Sequence, residues 1–303
     1  MSETAAYTPR RLARSQFVGV RGLRYHLLAW GQSSAVTATR PPLVMLHGWM
    51  DVAASFQFVV DALAEQGDGA AEGERYVVAA DWRGFGQSEA PPGTDAYWFP
   101  DYLGDLDALL DQLSPDAPVD LLGHSMGANV AMIYAGVRPQ RVRRLVNLEG
   151  FGMPETRPQQ APRRYAQWLD ELKSPQQLRD YDSADAVAER LRKTNPLLTP
   201  PRADGRWEIL GDPAHKRVNP ILYRKDEVLE CWRRIAAPLL WVEGDRTDLA
   251  GWWGERYSKA QFHERLAVVA DVEKHVLAPA GHMLHHDQPQ ALARVLRAFL
   301  DAP

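Results

Sequence analysis

The sequence has almost no cysteine and no long apolar run. Cys231 is the single cysteine among 303 residues, which excludes an internal disulfide framework and a zinc site built from several thiolates. No stretch approaches the ~20 consecutive apolar residues that a membrane-spanning helix needs. We therefore expect no membrane span.

An excess of positive charge is also missing. Lys and Arg number 35 against 39 Asp and Glu, for a net charge of -4, which argues against a nucleic acid or an anionic membrane as the main partner. The polar N-terminus carries three arginines with no apolar stretch behind them, so we expect no secretory signal and a cytoplasmic location. A 45% hydrophobic and 24% charged composition indicates a globular chain with a sizeable core.

Short apolar runs alternate with helical patterns through the first half of the chain. Two short strands predict a hairpin, and four buried runs follow it, separated by amphipathic stretches. Strands separated by helices in this way predict a parallel sheet with right-handed crossovers. The predicted strands cover residues 17–20, 23–30, 43–46, 76–80, 119–122 and 145–148.

The alternation stops after Glu149. A segment rich in Pro, Arg and Gln follows, and strand signals return only at residues 238–242 and 275–277, before a final helix over 290–300. We therefore predict a polar tail at 1–16, a core domain made of 17–151 and 236–303, and a mostly helical cap at 152–235.

The segment Gly123-His124-Ser125-Met126-Gly127 fits the pattern G-x-S-x-G between a buried strand and a helix. Glycines at both ends permit a sharp turn that exposes a serine hydroxyl at the strand tip. Ser125 is therefore the candidate nucleophile. The alternative is a serine that only caps the helix in a glycine-rich turn.

Serine needs a base to remove its proton. His282 is the best candidate, because it lies in a loop beyond the last predicted strand and can reach a neighbouring strand tip. His285 and His286 follow at helical spacing and are expected near the surface or at a helix start. A metal site made of these three histidines is not favoured, because no carboxylate pattern such as H-E-x-x-H accompanies them.

Three carboxylates could orient the imidazole. Asp248, in the loop after the strand at 238–242, is the first choice. Asp245 lies in the same loop, where it could instead pair with Arg246 or cap a helix. Glu149, at the end of the preceding strand, is aimed at the same edge of the sheet and stays open as the third choice.

A tetrahedral intermediate needs N–H donors for its oxyanion. The backbone N–H of Met126, which follows the nucleophile, supplies one. The backbone N–H of Trp49, after the strand at 43–46, offers a second. His47-Gly48 could also be an ordinary strand-end turn.

Together these motifs resemble the α/β-hydrolase family. The ordered set is His47-Gly48-Trp49, the segment from Asp81 to Ser88, the serine motif and Gly281-His282. The resemblance implies an eight-stranded, mostly parallel sheet with helices on both faces, a variable cap, and hydrolysis without metal or organic cofactor. It gives the segment from Asp81 to Ser88 a structural role. The usual aspartate stands three residues after the glycine of the acid loop, whereas Asp248 stands four after Gly244.

A serine at the nucleophile position argues against a resemblance to haloalkane dehalogenases and epoxide hydrolases, which place an aspartate there. We predict a carboxylesterase for a small to medium apolar ester. The alternatives are a carbon–carbon bond hydrolase acting on a vinylogous diketone, and a ligand receptor without turnover. Residues predicted to line the substrate pocket, unless they are plain core, are His47, Trp98, Trp168 and Trp207. The sequence does not indicate the oligomeric state.

Overall fold

A computed structural model describes residues 7–65, 75–174, 176–178, 182–183, 186 and 210–302. Its strands form one eight-stranded sheet in the order β1-β2-β4-β3-β5-β6-β7-β8. β1 and β2 form the predicted hairpin, β2 also runs antiparallel to β4, and every later pairing is parallel. The strands are β1 Arg14–Val20, β2 Leu23–Trp30, β3 Leu43–Leu46, β4 Val77–Ala80, β5 Val119–His124, β6 Val142–Leu148, β7 Leu239–Gly244 and β8 Val272–Leu277.

Helices follow the strands as the apolar spacing predicts. None of those in the described ranges has the length and apolar composition to cross a membrane. Several short 3₁₀ turns accompany them, including Ala53–Phe56 and Pro213–Lys216. The α-helices are α1 Gln57–Glu65, α2 Phe99–Leu113, α3 Met126–Val137, α4 Ala161–Leu172, α5 Lys225–Trp232, α6 Leu249–Trp253, α7 Lys259–Leu266, α8 Leu284–Asp287 and α9 Pro289–Leu300.

Two apolar cores cover the two faces of the sheet. On one face, α2, α3, α5 and α7 contribute side chains such as Leu106 and Phe262, which are completely buried. On the other face, α1, α8 and α9 contribute side chains such as Val59 and Leu296. Strands β3, β4, β5 and β7 are buried along their whole length because both sides of the sheet are covered there. The predicted mostly parallel sheet with helices on both faces is confirmed.

The chain leaves the sheet after β6 and returns at β7, as the predicted cap requires. α4 has no buried residue, whereas α5 packs on α3 so closely that a Cβ on Gly136 would lie 1.8 Å from the carbonyl oxygen of Cys231. Trp232 is buried in the core. The predicted boundary at residue 235 is therefore too late, because α5 belongs to the core layer. The cap itself stays a prediction, and Trp207 lies outside the described residues.

The segment after the undescribed stretch docks on the loop that follows β4. The N–H of Gly86 donates to Leu210 O at 3.0 Å, and the N–H of Asp212 donates to Gly84 O at 2.7 Å. His215 then stacks between Phe85 and Tyr97, with ring centroids 3.8 and 3.5 Å away. Burial in this stack lowers the pKa of His215 to about 4.

This depressed pKa predicts a loss of stability in acid. The unfolded chain takes up a proton on His215 near its ordinary pKa of 6.5 and the folded chain only near 4, so the free energy of unfolding falls as pH drops from about 6.5 to about 4. Over this pH range, the free energy of unfolding of the His215→Gln variant should decrease by up to about 3 kcal/mol less than that of the wild type. Urea unfolding midpoints across this pH range measure it.

His275→Gln is the matched control, because His275 is exposed beside Glu273. It should keep the pH dependence of the wild type. If the unfolding midpoints of His215→Gln and the wild type changed equally with pH, His215 would not be held neutral by burial between Phe85 and Tyr97.

Candidate active site

Parallel strands bring the predicted site residues to one edge of the sheet. Trp49 follows β3, Ser125 follows β5 and Glu149 follows β6. Gly244 ends β7, and His282 lies in the loop beyond β8. Since β3, β5, β6, β7 and β8 are consecutive neighbours, their carboxyl ends form a continuous row. Ligand sites in open α/β sheets occur at this edge.

Close packing explains the two glycines of the serine motif. A Cβ on Gly127 would lie 2.2 Å from Leu46 O, and one on Gly123 would lie 2.4 Å from the backbone of Ala128. Neither position therefore has room for a side chain. The turn between them holds Ser125 at φ 50° and ψ -114°, and places it directly before the first N–H groups of α3, which have no partner within the helix.

Strained backbone concentrates at this edge. The described residues contain four non-glycine residues at positive φ, and three of them follow adjacent strands: Met50 at 57°, Ser125 at 50° and Glu149 at 59°. Such conformations cost about 1–3 kcal/mol each and persist only where the surroundings enforce them. Arg21, the fourth, lies in the β1–β2 turn. Three of the four strained residues thus lie at the same row of strand ends as the predicted site residues.

The imidazole of His282 pairs with Glu149. His282 Nδ1 lies 3.1 Å from Glu149 Oε2, and Glu149 Oε1 accepts a hydrogen bond of 2.6 Å from the N–H of Gly244. The glutamate side chain is completely buried. Because a carboxylate only accepts, Nδ1 carries the proton, and Nε2 of the neutral ring is left with the lone pair that a general base needs.

The two aspartates of the loop after β7 have other partners. Asp248 is exposed and caps α6, with Oδ1 accepting from the N–H of Ala250 at 2.9 Å. Asp245 Oδ1 accepts from the N–H of Ala280 at 2.8 Å. Of the three candidate carboxylates, the structure therefore brings Glu149, and not the first choice Asp248, against the imidazole, because the helix start takes the aspartate while the end of β6 faces His282.

The loop that carries His282 is held at three successive residues. The N–H of Ala280 is bound by Asp245, the N–H of Gly281 donates to Asp287 Oδ2 at 2.8 Å, and the carbonyl of His282 accepts from His124 Nε2 at 2.9 Å. Trp252 stands edge-on to the imidazole at 4.6 Å. Sequence reasoning missed Trp252 and Asp287, since neither belongs to a motif.

Ser125 Oγ makes no hydrogen bond within the described part of the chain. Glu149 follows the neighbouring strand and holds the imidazole of His282 at the same edge of the sheet. Hydrogen bonds between a nucleophile and its base are often long in ligand-free structures and shorten in the substrate complex. The described hydrogen bonds therefore join His282 to Glu149 and leave Ser125 Oγ without a partner at the same edge of the sheet.

The backbone after β3 passes directly beside the nucleophile. A Cβ on Gly48 would lie 3.1 Å from the Cβ of Ser125. His47 is completely buried, donates from Nδ1 to Gly48 O at 2.7 Å and accepts at Nε2 from the N–H of Trp82 at 2.9 Å. Since a trans peptide directs its N–H away from its carbonyl, the N–H of Trp49 is directed away from His47.

This use of both ring nitrogens corrects the prediction that His47 lines the pocket. Burial lowers its pKa, so the ring is neutral and serves to orient the strand-end loop. The other predicted pocket residues are less defined. Trp98 precedes α2 and is 37% exposed, and Trp168 lies half-buried on α4. Their place in a pocket stays a prediction, as does that of Trp207.

Comparison with known proteins gives the same fold. A family model described as alpha/beta hydrolase fold matches residues 41–289. A serine hydrolase-like protein of Dictyostelium discoideum is 23% identical over 291 residues, covering 90% of this chain and 77% of that protein. Epoxide hydrolase 2 of Siraitia grosvenorii is 35% identical over 131 residues, which cover 43% of this chain and only 37% of the relative.

A solved thioesterase domain from the curacin biosynthetic pathway superposes with a TM-score of 0.74 at 24% identity, covering 94% of this chain and 99% of that domain. At this identity the likeness shows the fold and nothing about the substrate. The family match spans most of the chain and includes every strand end described above. The chain therefore belongs to the alpha/beta hydrolase fold family.

Proposed function

We propose that the protein is a serine hydrolase that cleaves small to medium apolar carboxylic esters without a cofactor. Ser125 is the nucleophile, His282 the general base and Glu149 the acid that orients it. The contact of 3.1 Å between Glu149 Oε2 and His282 Nδ1 carries the proposal, because it leaves Nε2 free to take a proton at the edge where Ser125 lies.

In the acylation step, Ser125 Oγ attacks the ester carbonyl while His282 Nε2 takes the hydroxyl proton. The negative charge that develops on the carbonyl oxygen is stabilised by the N–H groups of Trp49 and Met126. The imidazolium then returns the proton to the leaving alkoxide, and an alcohol departs. Glu149 stays a carboxylate throughout and stabilises the imidazolium through Nδ1.

In the deacylation step, water replaces the alcohol. His282 Nε2 removes a proton from the water, whose oxygen attacks the acyl carbonyl. The same two N–H groups stabilise the second tetrahedral intermediate. Its collapse returns the proton to Ser125 Oγ and releases the carboxylic acid, so the enzyme is regenerated without an external reagent.

The chemistry of Ser125 argues against an epoxide as the substrate, although epoxide hydrolases are among the relatives. A carboxylate that opens an epoxide forms an ester, whose carbonyl water can attack. A serine alkoxide would instead form an ether, which has no carbonyl and would not be released. An acyl substrate avoids this dead end and fits the hydroxyl at residue 125.

Removal of the nucleophile tests the core of the proposal. Ser125→Ala should lower kcat on a chromogenic short-chain ester by about 10⁴–10⁶-fold while the melting temperature stays within a few degrees. A fluorophosphonate probe should label the wild type at Ser125, and mass spectrometry of the digested protein identifies the labelled residue. A burst of one alcohol per chain without further turnover would favour a receptor, and turnover by the alanine variant would refute the mechanism.

A second experiment separates the candidate acids. Glu149→Gln should lower kcat by about 10³–10⁴-fold, because an amide that donates to Nδ1 stabilises the wrong imidazole tautomer. Asp248→Asn should keep kcat within a few-fold, because asparagine caps a helix as well as aspartate does. Both changes remove one charge, so the pair is matched. A larger loss of kcat in Asp248→Asn than in Glu149→Gln would show that the acid is Asp248, in the loop after β7.

The third experiment addresses the pocket. If Trp168 lines the acyl site, Trp168→Ala should shift the preferred acyl length, as kcat/KM over a series of esters measures, and leave the rate on the smallest ester nearly unchanged. Gln167→Ala on the same helix is the control, since its side chain bonds Glu171 on the exposed face. Identical chain-length profiles for both variants would make Trp168 a packing residue.

A further inference from the structure

Behind the serine turn lies a group of ionisable side chains that the proposed mechanism does not use. Asp51 comes from the loop after β3, His124 ends β5 and His285 lies in α8. Each offers one ligand atom, and the three atoms lie within 4.8 Å of one another. Both imidazoles are almost completely buried, and the Asp51 side chain is 15% exposed. His285 thus lies at a helix start, one of the two places expected from the sequence, but it is buried.

His124 has a lone pair without a donor. Its Nε2 donates to the carbonyl of His282 at 2.9 Å, and a carbonyl can only accept, so the proton of the neutral ring is on Nε2. Nδ1 is buried and has no hydrogen-bond partner in the described part of the chain. It lies 3.0 Å from the position of a Cβ on Gly48, which places it beside the loop that carries Asp51.

His285 is in the same condition. Its Nε2 lies 3.1 Å from Ser55 Oγ, and that hydroxyl donates its one proton to Asp51 Oδ2 at 2.8 Å. Nε2 must therefore donate, which leaves Nδ1 with the lone pair and, among the described residues, without a partner.

Two buried acceptors without donors cost free energy, of the order of 1–3 kcal/mol each. The two rings stand 4.5 Å apart between centroids, and His285 Nε2 lies 4.0 Å from Asp51 Oδ2. Two imidazoles with unused lone pairs and one carboxylate therefore lie within 4.8 Å of one another in a buried part of the chain.

We propose that Asp51, His124 and His285 bind a divalent transition-metal ion of the Zn²⁺ class. Imidazole nitrogen and carboxylate oxygen are ligands that zinc prefers, at about 2.0–2.2 Å. Tetrahedral coordination at that length sets ligand atoms about 3.3 Å apart, so separations of up to 4.8 Å close by at most about 1.5 Å when the ion binds. The Ser55 hydroxyl or a water supplies the fourth position.

The ion holds three segments of the chain that also carry the proposed active site. Asp51 is two residues after Trp49, His124 directly precedes Ser125, and His285 is three residues after His282. Coordination at His124 Nδ1 makes its Nε2–H a stronger donor to the carbonyl of His282. The ion takes no part in bond cleavage. It stabilises the folded chain, because the unfolded chain has no such site.

Zinc titration of the metal-free protein by calorimetry, at neutral pH and with ZnCl₂ as the only added metal, tests the proposal. One ion per chain should bind and raise the melting temperature. Asp51→Asn and His285→Gln should each weaken binding by more than about 100-fold, since loss of a ligand costs more than the 10–100-fold of a supporting partner. His275→Gln, which alters an exposed histidine beside Glu273, should bind zinc as the wild type does.

A crystal of the wild type grown with zinc gives a result that does not depend on how the variants fold. An anomalous difference peak should lie among Asp51, His124 and His285. A peak at another histidine, binding that survives both substitutions, or no stoichiometric binding by the wild type would each overturn the site. None of these readouts uses ester turnover, so they are independent of the proposed hydrolase activity.

Discussion

One buried carboxylate joins the two halves of the strand edge. Glu149 Oε1 fixes the N–H at the end of β7, and Oε2 fixes the imidazole that comes from beyond β8. Its backbone reaches this position only at φ 59°. The next residue must be Gly150, because a Cβ there would lie 2.5 Å from the Cβ of Ala128 and 2.6 Å from Asn147 Oδ1. Without the carboxylate, a buried N–H and an imidazole would both lose their partner, at a cost of about 1–3 kcal/mol each.

The fold could be predicted from the sequence because its inner strands β3, β4, β5 and β7 are short, largely apolar and buried on both sides. The run Leu43–Leu46 is found at the predicted bounds. The strand predicted at residues 145–148 in fact starts at Val142. The prediction missed its first residues because Arg143 and Arg144 interrupt the apolar run. Arg143 binds Asp120 and so satisfies its charge. Periodicity detects apolar residues and cannot detect a strand residue whose charge is neutralised by a distant partner.

The serine and the histidine could be located from local motifs, whereas the acid could not. Three carboxylates follow two neighbouring strands, and the preference for Asp248 stands against the family spacing, which places the aspartate three residues after the glycine. Two facts of tertiary structure decide between them. β6 lies between β5 and β7, which brings Glu149 nearer to the serine turn, and α6 begins directly after Asp248 and takes its side chain as a cap. A capping aspartate before a helix is a signal that the sequence already contained.

Preorganisation explains why three of the four strained non-glycine residues in the described ranges lie at adjacent strand ends. Met50, Ser125 and Glu149 hold positive φ because the chain must turn sharply at three adjacent tips, and each such conformation costs about 1–3 kcal/mol. The two apolar cores on either face of the sheet offset that cost, since they fix the strands from which the tips project. The tips therefore cannot relax without disturbing buried side chains, and the hydroxyl, the N–H groups and the imidazole are held before any substrate arrives. The packed sheet thus holds the strained turns in their positions.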